Sequence, residues 1–138
     1  MKTYISYVIA LALLNALVGC GGGSGSGAST IVDPYDGTFS GVESGTSDGN
    51  AFSQNVIFTL EQTGTSVTGT WSNTAGTSNG SLSGTVSGNN ATITITQNQC
   101  AGSLTGSSTI SGNTMTATIS GTLAAPCGVI SASVVASK

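Results

Sequence analysis

The sequence predicts an all-β fold: an eight-stranded antiparallel up-and-down barrel, or a flattened meander close to one. Three observations predict it. Apolar and hydroxyl residues alternate with a period of two, and no segment has a helical period. Gly and Asn punctuate the alternation at short intervals. A hairpin-sized segment also repeats. "GSLSGTVSGNNATITI" from Gly80 matches "GSLTGSSTISGNTMTATI" from Gly102, with a two-residue insertion. Repetition of one hairpin fits a meander or barrel, and a two-sheet β-sandwich is the alternative.

The strands read in order as follows. "GTFSGV" is the first, over 37–42, and "QNVIFTLEQ" the second, over 54–62, with Val56, Phe58 and Leu60 on one face. "TSVTGTWS" turns Val67, Gly69 and Trp71 the same way, and "GSLSGTVS" does so with Leu82, Gly84 and Val86. "NATITITQ" sets Ala91, Ile93 and Ile95 against Thr92, Thr94 and Thr96. "SLTGSSTI", "NTMTATISG" and "GVISASVVA" complete the eight. One apolar face and one Ser/Thr face suit an antiparallel sheet with a wet side. The connections at 63–65, 87–90 and 111–113 are tight, with Gly and Asn where two-residue hairpins need positive φ. Those at 43–53, 73–79, 97–102 and 121–128 read as longer loops. In up-and-down order the tight turns share one end and the longer loops the other. The chain enters at the tight-turn end.

Composition excludes whole classes of function. The acids are Asp33, Asp36, Glu43, Asp48 and Glu61; the bases are Lys2 and Lys138, with no Arg or His. Nucleic-acid binding needs cations to displace phosphate counterions, and this chain has almost none. Ser-His-Asp and Cys-His catalysis lack their His. General acid-base chemistry is reduced to a few carboxylates. We expect no enzyme activity, no cofactor and no metal site.

The amino terminus reads as an address. One positive charge precedes a mostly apolar run that ends "NALVGCGGGSGSGAS", from Asn15 to Ser29. The run has signal-peptide length and is too short for a span of about 20 apolar residues. Its end, Leu17-Val18-Gly19-Cys20, resembles the lipobox of bacterial lipoproteins. The resemblance implies cleavage before Cys20, a diacylglycerol thioether on its sulfur and acylation of the new amino terminus. Gly21 after the cysteine favours the outer membrane of a diderm host. The expected organisation is therefore a signal peptide over 1–19, a lipidated Cys20 with a flexible Gly/Ser tether over 20–33, and a barrel over 34–138. With Cys20 committed to lipid, Cys100 and Cys127 remain as an even pair in an oxidising compartment. Their two loops share one end, so a structural disulfide is expected.

The candidate site residues are few. Asp33 to Gly37, "DPYDG", reads as a turn, without the dense oxygen spacing of a calcium loop. Glu43, Asp48 and Glu61 include the carboxylates a glycosidase pair would need, against the plainer reading as solvated loop and strand-end acids. Trp71 reads as core, or as the wall of a ligand cavity. The longer loops carry Asn50, Asn73, Asn79, Asn98 and Gln99, amides suited to sugars. Trp71, Asn73 and Asn98 are the ligand-binding candidates, and the two asparagines are expected to tolerate Ala without unfolding. The predicted body broadly resembles small calycin-type barrels. An eight-stranded barrel either fills its interior with side chains or holds one small ligand. The expected function is thus a membrane-anchored, non-catalytic lipoprotein that binds a protein or glycan through the loops distal to its anchor. The alternative is a carrier of a small apolar ligand.

Overall fold

The structure, a computed structural model, describes residues 33–138. The lipobox, Cys20 and almost all of the expected tether lie outside the described residues. Eight strands follow in chain order: β1 (Gly37–Ser47), β2 (Asn50–Thr63), β3 (Ser66–Asn73), β4 (Asn79–Ser87), β5 (Asn90–Gln97), β6 (Ser103–Ser111), β7 (Thr114–Thr122) and β8 (Val129–Ser137). Each pairs antiparallel with the next, and β8 pairs with β1, so the sheet closes into a barrel. The sandwich alternative gives way to closure, which leaves no second sheet to pack against.

The period of two sets inside from outside. In β5, Ala91, Ile93 and Ile95 are buried while Thr92 and Thr96 are exposed. Phe39, Phe58, Trp71, Leu104 and Val134 join them in one core. Outside, the register strings hydroxyls around the barrel. From Thr63 it runs through Ser66, Thr85, Thr92, Ser107, Thr118, Ser133 and Ser44, and returns to β2 at Ser53. All of these are exposed. The displacement from Thr63 to Ser53 is the stagger of the barrel, and it tilts the strands by about 40°.

The two ends differ. Gly64, Gly88 and Gly112, evenly spaced along the chain, all have φ 60° and make the tight turns at one end. The chain enters there, and "DPYDG" plugs the opening. Tyr35 is buried; its N–H donates to Gln62 Oε1 (3.2 Å) and its hydroxyl to the Asn89 carbonyl (3.2 Å). The Gln62 N–H donates to Asp36 Oδ1. Lys138 fastens the plug: its Nζ donates to the carbonyls of Pro34 (3.0 Å) and Asp36 (2.7 Å), and lies 4.9 Å from the Phe39 ring centroid.

The opposite end carries loops 74–78, 98–102 and 123–128. The fourth expected loop, 43–53, is not a loop. β1 continues to Ser47, β2 begins at Asn50, and Asp48-Gly49 turns the chain in two residues. Both have positive φ, 49° and 79°, as a two-residue hairpin requires. Gly and Ser dominate this stretch and carry weak strand propensity, but backbone pairing with β2 and β8 supplies what propensity does not. Asp48 then pins the tip: its N–H donates to the Val129 carbonyl (2.9 Å), and its Oδ1 accepts from the Val129 N–H (2.8 Å).

Candidate functional site

The loop end is a braced rim. Cys100 and Cys127 form a disulfide between loops 98–102 and 123–128, with Cα atoms 6.1 Å apart. Closing the intervening chain contributes about 3.5 kcal/mol in the chain-entropy treatment. Ser47 Oγ donates to the Cys127 carbonyl (2.9 Å), which ties the β1–β2 hairpin to the same brace. Leu123 and Cys100 are buried beneath the loops.

Glu43 stands just inside this rim. Its place in β1 points it inward, in step with Phe39, and it is only 6% exposed. The reading of Glu43 as a solvated acid is therefore corrected: the alternation that extends β1 carries it into the barrel. Gln54, opposite on β2, donates from Nε2 to Glu43 Oε2 (2.6 Å). Burial pushes the carboxyl pKa up, and the Gln54 hydrogen bond pulls it partly back. Asp48 and Glu61 are exposed elsewhere, Asp48 at the hairpin tip and Glu61 on the outer face of β2, so the three acids form no pair.

Asn73 is the second corrected residue. It closes β3, is 6% exposed, and spends its amide on its own loop. Oδ1 accepts from the N–H groups of Thr77 (2.9 Å) and Ser78 (3.1 Å). Nδ2 donates to Thr77 Oγ1 (2.8 Å) and to Gln54 Oε1 (3.0 Å). Both donor hydrogens and both lone pairs are engaged, so Asn73 builds the site and has nothing left for a ligand. Asn98 is exposed; its side chain donates to Asn79 Oδ1 across the base of loop 98–102. The Asn79 N–H in turn donates to Gln99 Oε1 (3.3 Å). This amide cluster remains open to solvent at the rim.

Trp71 is buried, and its indole N–H donates to the Thr96 carbonyl (3.1 Å). Its ring walls a void of about 10 Å³ together with Glu43, Phe58, Ile95, Gln97, Leu104 and Ile119. A second void of about 10 Å³ lies deeper, beside Tyr35, Ser108 and Met115. Each holds about one water-sized group. Gln97 had no place among the sequence candidates. Its signal was weak: it ends a strand whose apolar positions already point inward. No protein-family model matches the chain, and no curated protein matches it significantly.

Proposed function

We propose that this chain is a membrane-anchored, non-catalytic bacterial lipoprotein whose barrel offers its braced rim to a protein or glycan partner. The observation that carries the reading is the placement of the two ends. The chain enters at the plugged end through Asp33, and the disulfide-tied loops lie at the other. A tether from Cys20 then holds the plugged end toward the bilayer and leaves the rim facing away. Loops fixed on a rigid scaffold are where binding surfaces are usually built. Bracing lowers the entropy lost when they order on a partner. The hydroxyl exterior supports anchoring by lipid, because a barrel inserted in the bilayer turns an apolar band outward. The outer membrane is the proposed location, from Gly21.

Two measurements test this. Cys20→Ser should abolish incorporation of a labelled fatty acid and release the protein from membranes; unchanged labelling removes the lipoprotein reading. Cross-linking to envelope proteins and binding to a glycan array should be lost in Asn98→Ala with Gln99→Ala. Loss on altering the turns at 64–65, 88–89 or 112–113 instead would invert the orientation.

A further inference from the structure

We propose that the void beneath the rim is a seat for a single primary ammonium group, with Glu43 and Gln97 as its acceptors and Trp71 as its wall. The inference deepens the rim reading by naming the chemistry that the rim recognises. It starts from a mismatch between acceptors and donors. Glu43 is buried, yet no described residue offers it a cation, and no described residue donates to its Oε1. Gln97 Oε1 lies 3.8 Å from Cys127 Sγ, but that sulfur is in a disulfide and carries no proton to donate. Glu43 and Gln97 thus line one void with acceptor capacity that no described residue meets. A buried carboxylate without a counter-charge either takes a proton or takes a cation.

The rest of the lining selects the kind of cation. Phe58, Trp71, Ile95, Leu104 and Ile119 supply only apolar surface. Calcium and magnesium need at least six oxygen ligands, and two acceptors do not meet that demand. An ammonium head is water-sized, as the void is. It donates to both oxygens and gains from an indole beside it. A free amine and a partner's lysine side chain share this chemistry. Among the lining residues only Glu43 titrates, so its charge alone sets the electrostatics of the seat.

Trp71 is the sole tryptophan and reports directly on the seat. The purified full-length chain is titrated with ammonium, methylammonium and n-butylammonium at constant ionic strength, at a pH where Glu43 is ionised. The expected result is a saturable change in Trp71 fluorescence with all three, but not with tetramethylammonium, which has no N–H to donate. Glu43→Gln should keep the fold, checked by circular dichroism, and weaken binding roughly ten-fold or more. Gln97→Leu should weaken it less. A peptide with one exposed lysine, set against its acetylated form, separates a protein partner from a free amine. No saturable change, or equal binding by Glu43→Gln, overturns the proposal. The rim reading would survive that outcome, because its own test reads partner capture and not amines.

Discussion

Replacing Asn73 tests whether the rim is held from within. Asn73→Ala deletes four side-chain hydrogen bonds: two accepted from Thr77 and Ser78, and two donated to Thr77 and Gln54. Each contributes about 0.5–1.5 kcal/mol net. Thr77 is exposed, so water recovers part of the loss there, whereas Gln54 is half-buried and recovers less. The expected cost is about 2–3 kcal/mol, read as a lower urea midpoint at unchanged slope. Asn73→Asp is the sharper probe. It keeps the acceptor for Thr77 and Ser78 but removes the donor to Gln54. Gln54 then has carboxylates on both sides and only one amide to share, its Nε2 already committed to Glu43. Adding Glu43→Gln relieves the conflict. The new amide at position 43 donates to a turned Gln54, which in turn donates to the new carboxylate at position 73. A double-mutant cycle should therefore show a favourable coupling of about 1 kcal/mol or more. Additive effects, or an Asn73→Ala variant as stable as the parent, would refute the chain of contacts from loop to carboxylate.

Glycine substitutions should separate backbone strain from steric collision. Gly112 has open space around its Cα, so Gly112→Ala should cost only the left-handed penalty of about 1–2 kcal/mol, and the β-branched Gly112→Val more. A Cβ on Gly106 is driven into the Thr118 carbonyl and the Ile119 backbone, so Gly106→Ala should cost more than about 3 kcal/mol; equal thermal shifts for the two Ala variants would contradict this. Glu43 should make stability pH-dependent in an unusual sense for an acid. Its folded pKa is raised, so the native state holds the proton more tightly than the unfolded chain. Stability then falls as pH rises from the ordinary carboxyl range through the raised value. Glu43→Gln should lack this fall, and parallel urea midpoints for the two proteins from mildly acidic to neutral pH would count against it.

The barrel was legible because its signals were local. Ile93 against Thr92, or Gly88 beside Asn89, states strand or turn within a few residues. Glu43 was not legible for the opposite reason. "GVESGTSDGN" reads as a loop by composition, and only pairing with Asn50–Gln54 and with β8 makes it strand. Those partners lie elsewhere in the chain, and no window around Glu43 contains all of them. The Asp-Gly turn dipeptide was present, but the stretch around it lacked the apolar alternation that would have given it weight. Tyr35 was hidden likewise, since its burial depends on Gln62 and Asn89. Asn73 looked like a free amide because its partners Thr77 and Gln54 become neighbours only when loop 74–78 folds.

The segment that composition reads as loop is also the one that carries the candidate site, and one cause accounts for both. An inward carboxylate, and a Gly45 whose Cβ would strike the Ser131 carbonyl and Ala132, leave a strand with little local preference. A barrel built for stability alone would place a Val or Ile at position 43. Around Glu43, the side chains of Gln54, Asn73 and Gln97 replace apolar packing with hydrogen-bonding groups. Polar groups at such depth cost stability unless they are paired. Gln54 and Asn73 are paired, to each other and to Glu43 or the loop. Gln97 Oε1 and one Glu43 oxygen are not. Local consistency in the sequence therefore fails where hydrogen-bonding groups replace apolar packing, which is where a functional site is expected to break the pattern.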